Sequence, residues 1–151
     1  RLLRPDHGRG CVMTKAVLYL RSATGSEAQT NQQAEDCREY LHERGLTEDG
    51  VFTDAGHTGP GLAQLLDPAA KGEVTDVIVA EIWRLGRAPV ANLRTDDALD
   101  RAGVTVHVAT GILTGPVLDD CVRGSMYELS IADARRIDDD AETEKDDPPF
   151  D

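Results

Sequence analysis

The chain takes on a regular pattern at Lys15. Residues 15–21, KAVLYLR, form a short apolar run rich in strand formers and read as a buried strand. Beyond the polar stretch SATGS the period changes. Ala34, Cys37, Tyr40 and Leu41 recur at spacings of three and four, which predicts a helix from Ser26 to a stop at Gly45. The alternation then repeats. GVFTD (50–54), VTDVIVAEI (74–82) and VTVHVA (104–109) read as strands. LAQLLDPAAKG (62–72), weakened by Pro68, and APVANLRTDDALDRAG (88–103) read as helices, the second with Val90, Leu93 and Leu99 on one face. AGHTGPG (55–61) is a loop and GILTGP a turn. From Val117 to about Ile137 a longer helix carries a stripe of Leu118, Val122, Met126 and Leu129, with Gly124 as a weak point. This order predicts an α/β fold: a mostly parallel sheet of four to five strands, helices on both faces, and a long final helix. Ligands of such sheets sit at the carboxyl ends of the strands.

Composition narrows the picture. A chain of 151 residues fits one domain, predicted over residues 15–137, with a disordered extension at 1–14 and a disordered acidic tail at 138–151. Aromatic residues make up 4%, so aliphatic side chains must fill the core. No run approaches the ~18 residues of a membrane span, and no signal peptide is visible. Cys11, Cys37 and Cys121 lie far apart, in no metal or redox spacing. An odd number of cysteines without a signal peptide points to the reducing cytoplasm. Cys37 and Cys121 fall on apolar helix faces and read as buried thiols. His7, His42, His57 and His107 form no metal-ligand pattern, so no metal is expected. The net charge is −12, of which residues 138–151, DDDAETEKDDPPFD, carry −7. A protein that grips DNA by itself needs a basic face, and this chain has none on average.

Candidate chemistry gathers where the predicted strands end: Arg21, then Asp54, then Arg84 and Arg87 of WRLGR. Guanidinium groups match phosphate oxygens with paired hydrogen bonds, so three arginines at one sheet edge suit an anion. Alternatively, each pairs with a nearby surface acid. The hydroxyls of Ser22, Thr24 and Ser26 flank Ala23 in the first of these loops.

Taken together, these segments resemble the serine recombinases, the resolvase and invertase family. YLRSATGSEAQTNQ is similar to the family's opening strand, Tyr-x-Arg-x-Ser with a Gln about nine residues past the Ser. FTDAGHTGPGL resembles its D-x-x-S-G-x…R-P-x-L loop, VIVAEIWRLGR its V-V-x-x-L-D-R-L-G-R strand end, and YELSIADARRI part of its long helix. The resemblance implies a serine that attacks a DNA phosphodiester and forms a phosphoserine bond, with arginines stabilising the transition state and neither metal nor ATP required. Tyr19, Arg21, Gln32, Asp54, Arg84 and Arg87 match the family's phosphate-handling set. The departures fall in the same site. The nucleophile's position is Ala23, the R-P-x-L arginine is Gly59, the aspartate before R-L-G-R is Trp83, and the late-helix glutamate is Asp133.

A methyl group cannot attack phosphorus. Ser22 is the candidate substitute, but it lies one residue early, and successive strand side chains point to opposite faces. Trp83 either covers the pocket and packs on Arg84 or Arg87, or fills a gap in an aromatic-poor core. The resemblance therefore implies a recombinase-like domain that has lost cleavage and acts as a dimerisation or regulatory module. Its long helix, 117–137, would form a homodimer, with an active recombinase as a further partner and DNA met weakly or through that partner. Two alternatives stand beside it: an active recombinase using Ser22, and a phosphate- or nucleotide-binding module using Arg21, Arg84 and Arg87. No cofactor and no membrane association are expected.

Overall fold

The computed structural model describes residues 14–119 and 121–129. The first strand, β1 (Ala16–Ser22), is buried along its whole length. Helix α1 (Glu27–Arg44) starts at Ser26, whose side chain accepts from Gln29 N, and stops at Gly45. Its buried stripe is Gln33, Ala34, Cys37, Tyr40 and Leu41, the expected apolar positions plus one amide. Burial pushes the Cys37 thiol up to about 12, as expected of an inert structural cysteine.

Then follow β2 (Glu48–Ala55), α2 (Pro60–Ala70), β3 (Asp76–Val79) and a 3-10 turn over Ile82–Leu85. Helix α3 (Pro89–Arg101), β4 (Thr105–Val108) and β5 (Gly115–Pro116) complete the ordered elements before α4, at 121–129. The strands form one sheet in the order β2-β1-β3-β4-β5, with β5 antiparallel and the rest parallel. Helix α1 covers one face, where Leu18, Leu20 and Ile78 meet Cys37 and Leu41. The other face packs Val17, Tyr19, Val77 and Val79 against Leu62, Leu65, Leu99 and Met126. The α/β architecture read from the alternation is the one observed.

Four local expectations are corrected. The long helix was expected from Val117, but Gly115 and Pro116 pair with β4, and Val117 N bonds to Val106 O. Among the described residues, helix geometry starts at 121. Residues 130–137 of the expected helix lie outside the described residues. The third strand is four residues long, because the chain turns into the 3-10 segment rather than running to Ile82.

Helix α3 is rotated from the expected face. Val90 and Leu93 are exposed, and Asn92, Thr95 and Leu99 are buried. The cause is hydrogen bonding: Asn92 Nδ2 donates to both Ile82 O and Gly86 O at 2.9 Å, and Arg123 Nη1 donates to Asn92 Oδ1. An amide that satisfies two buried carbonyls outweighs the burial of one leucine. Cys121, expected to be buried, is exposed at the start of α4.

Gly86 explains the glycine of the RLGR element. It has φ +149°, and a Cβ there would lie 2.7 Å from Asn92 N, so the turn and the first turn of α3 approach too closely for any side chain. Among the described residues no helix is long and apolar enough to cross a membrane.

Asn92→Leu should therefore destabilise the fold by about 2–3 kcal/mol despite its greater hydrophobicity, because two carbonyls lose their donor. The urea midpoint should fall while the slope stays unchanged.

Candidate functional site

The connections leave β1 and β3 on opposite faces of the sheet, so the crevice between these two strands is the switch point where such sheets hold ligands. Strand β1 pairs with β3 only from Ala16 to Leu18. Beyond that the strands part, and the main chain of Arg21 faces the gap. The side chain of Gln33 closes it: Arg21 N donates to Gln33 Oε1 at 3.1 Å, and Gln33 Nε2 donates to Arg21 O at 2.8 Å. The amide takes the place of the missing strand. A second donor, Arg84 Nη1, reaches the same Arg21 O at 2.8 Å.

The Arg21 side chain is fully buried. Each of its three guanidinium nitrogens donates to a main-chain carbonyl: Nε to Arg84 O at 3.0 Å, Nη1 to Gly56 O at 2.6 Å, and Nη2 to Trp83 O at 3.1 Å. Arg84, 6% exposed, pairs with Glu81 through Nε at 2.8 Å. Trp83 lies at the centre of the cluster. Its ring stands 3.9 Å from the Arg84 guanidinium carbon, 5.4 Å from that of Arg87 and 5.6 Å from that of Arg21. It is 1% exposed, and its indole Nε1 has no hydrogen-bond partner. Three like charges repel in a low dielectric. The π face of Trp83, the Glu81 carboxylate and the carbonyl dipoles offset that repulsion, each cation–π contact by about 0.5–2 kcal/mol. Both readings of Trp83, stacking on arginine and filling core space, are combined in one residue. Tyr127 of α4 bonds to Arg87 O and ties that helix to the cluster.

Asp54, beside this cluster, serves a helix end. Its carboxylate accepts from Tyr19 Oη at 2.7 Å and from the main-chain N–H groups of Gly59, Gly61 and Leu62 at 2.7–2.9 Å. The first turn of α2 thus finds its missing acceptors in one side chain. Burial alone pushes the carboxyl up, but the Tyr19 hydroxyl and the three N–H groups outweigh it and hold Asp54 below the ordinary carboxylate range. Burial, then the bond to Asp54, pushes the Tyr19 phenol well above its ordinary value, so it stays neutral. Gly59 has extended φ, and a Cβ there would meet Asp54 Oδ1 at 3.6 Å, so a side chain has room at the position of the family's arginine.

The other candidates are placed as follows. Ser22 is buried on the α1 side, away from the Arg21 cluster. Its Oγ lies 2.9 Å from Gln29 Oε1, to which it donates, and accepts from Ser26 N at 3.0 Å. Ala23 is half-buried in the turn that follows. Gln32 is exposed, its amide bonded to Asp36, and does not join the cluster; Gln33 does. Gln33 was legible in principle, because it lies four and seven residues before Cys37 and Tyr40 on the buried stripe. Asp133 lies outside the described residues. A further polar chain escaped sequence reading. Tyr40 Oη meets His107 Nδ1 at 2.8 Å, and His107 Nε2 meets Asp76 Oδ1 at 2.8 Å, which ties α1 to β3 and β4. Among the described residues no group of three or more His, Cys, Asp or Glu is arranged to hold a metal ion.

A family model described as "Resolvase, N terminal domain" matches residues 16–137. Among solved structures, the chain is similar to a resolvase family site-specific recombinase from Streptococcus pneumoniae, at 17% identity over 87% of this chain and 94% of that one, with a TM-score of 0.62. It is similar to the N-terminal catalytic domain of TP901-1 integrase, at 18% identity over 83% and 98%, TM-score 0.59. It is also similar to the C-terminal catalytic domain of ISC1926 TnpA, an IS607-like serine recombinase, at 20% identity over 65% and 72%, TM-score 0.59. At these identities the likeness is one of fold. No curated protein sequence matches the chain.

The Asp54 carboxylate contributes stability that is fully present above its unfolded value near pH 4 and is lost as pH falls through its lower folded value. Asp54→Asn should cost about 2 kcal/mol at pH 7. It should also flatten the acid limb of the stability–pH curve relative to the parent, as followed by urea unfolding between pH 2 and 7.

Proposed function

The chain belongs to the family of the resolvase N-terminal domain, and on that premise we propose that it is a non-cleaving member, a dimerisation or regulatory module of DNA recombination. The observation that carries this reading is the bonding of Arg21. Three of the five N–H groups of the guanidinium that would stabilise a phosphate in transit are held by main-chain carbonyls. Beside it, the nucleophile's position is a methyl group, Ala23. Against Ser22 as the substitute stands the bonding of its hydroxyl, which both donates and accepts within the start of α1. Placement within about 1 Å is what nucleophilic catalysis demands, and Ser22 points to the other side of the sheet. An arginine cluster bonded internally around Trp83 also weighs against the phosphate-binding alternative.

Self-association is supported by the end of the chain. On α4, Leu129 is 38% exposed while Met126 is buried and Val122 is half-buried, and Leu118, just before the helix, is 57% exposed. A helix with apolar residues on both its inner and outer sides has a second surface to cover. The acidic segment 138–151 repels phosphates, so DNA is met weakly or through a partner that supplies the positive charge. An active recombinase of the same fold is such a partner.

Incubation with supercoiled DNA carrying recombination sites of the family should give no covalent protein–DNA adduct. Ala23→Ser alone should give none either, because Gly59 and Trp83 remain. An adduct formed by the parent chain and abolished by Ser22→Ala would overturn the reading. Robust cleavage by the Ala23→Ser chain would show that the arginines are free to serve phosphate. Sedimentation should show a dimer that Leu129→Glu weakens by about tenfold or more.

A further inference from the structure

β2 is the long edge strand of the sheet, and its outer side is built differently from its inner side. Gly56 N donates to Ser22 O across the Ser22↔Ala55 pair. In a parallel ladder this phase turns the main chain of Phe52 and Asp54 toward β1, and that of Val51 and Thr53 outward. The side chains divide in the same way. Phe52 and Asp54 are drawn in toward α2, whereas Asp49, Val51, Thr53 and Ala55 are exposed.

Glu27, Asn31, Glu35 and Arg38 recur on one face of α1. Two contacts show that this face looks onto β2. Arg38 bonds Glu48 at the start of the strand, with Nε to Oε1 at 2.6 Å and Nη2 to Oε2 at 3.0 Å. At the other end, Glu27 and Asn31 line a hollow of about 700 Å³ together with Thr53 and Ala55. The trough between these points has Val51, 39% exposed, on its floor. Glu27, Glu35 and Asp49 stand along it as acids, while the charge of Arg38 is matched by Glu48. It closes where α2 arrives, since a Cβ on Gly61 would lie 2.0 Å from Thr53 O.

We propose that this trough receives an extended, lysine- or arginine-bearing segment of a partner protein, which adds a strand beside β2. The outward N–H and C=O of Val51 and the N–H of Thr53 supply the hydrogen bonds of an added strand, Thr53 O being covered by α2, and the exposed floor supplies apolar contact. The acids choose the occupant. They favour a basic segment, whose charge they complement, over a second copy of the same acidic edge. The proposal is independent of whether the chain cleaves DNA.

The probe is a short fluorescent peptide alternating lysine and valine, titrated into the full chain, with a glutamate–valine peptide as control. Saturable binding of the lysine peptide is expected, about tenfold or more tighter than the control. Amide resonance shifts should centre on Val51 and Thr53. Val51→Pro removes an outward N–H and leaves the β1 ladder intact, so it should keep the thermal midpoint and weaken binding about tenfold. Glu27→Gln combined with Glu35→Gln leaves the edge untouched; it should weaken binding about threefold or more and blunt its salt dependence. If the proline chain fails to fold, the amide shifts and the double variant decide. Equal binding of both peptides, shifts centred elsewhere, full binding by the double variant, no saturable binding, or a dimer formed through β2 would each overturn the proposal.

Discussion

A guanidinium with no exposed surface must find its hydrogen bonds within the protein, because an unpaired buried charge is among the most costly features a fold can carry. Arg21 finds them in the carbonyls of Gly56, Trp83 and Arg84. One carbonyl lies in the loop after β2, and the other two lie in the 3-10 turn after β3. A single side chain near the end of β1 therefore ties together the segments that follow its two neighbours, β2 and β3. Arg84 returns the contact by donating to Arg21 O, and Gln33 holds the same residue's N–H and C=O from α1. The switch-point crevice, where this fold class holds ligands, is filled by the protein's own polar groups.

Trp83 makes that arrangement tolerable. Its ring lies within 5.6 Å of three guanidinium carbons and spreads their charge over a polarisable face. A carboxylate at this position would compensate by Coulomb attraction and would compete with the carbonyls for the same N–H groups. The aromatic ring compensates without accepting those bonds, so the arginines stay turned toward the main chain. Asp54 is drawn away from the cluster in the same manner. Its oxygens are used by Tyr19 and by the first turn of α2, which makes it a helix cap.

Much of the fold was legible in the sequence, because periodicity is a direct consequence of which faces are buried. The four parallel strands and α1, with its Cys37–Tyr40–Leu41 stripe, came through on pattern alone. Helix α3 did not, because its orientation is set by Asn92 serving two carbonyls, and a polar residue at a core position carries no hydrophobic signal. The start of α4 was misplaced because Gly115 and Pro116 form an edge strand too short to register as one. Around the crevice, Arg21, Arg84 and Trp83 were legible as residues at strand ends, and the topology brings them into one cluster. What the sequence did not show was the direction of their hydrogen bonds. That depends on where the chain turns after β3, three residues earlier than the apolar run implied. The resemblance pointed to Gln32, counted from the serine position; counting back along the buried helix face gives Gln33, the amide that bonds Arg21.

The account turns on whether Arg21 is a structural clasp or a group kept ready for a ligand. Residues poised for a ligand are commonly removed with little loss of stability, or with a gain. The direct measurement is the urea unfolding free energy of Arg21→Met against the parent chain at neutral pH. The account predicts a loss of about 3 kcal/mol or more, because two buried carbonyls and a partly buried one lose their donor at once. An Arg21→Met chain as stable as its parent, or more so, would contradict it and return Arg21 to the service of a bound phosphate.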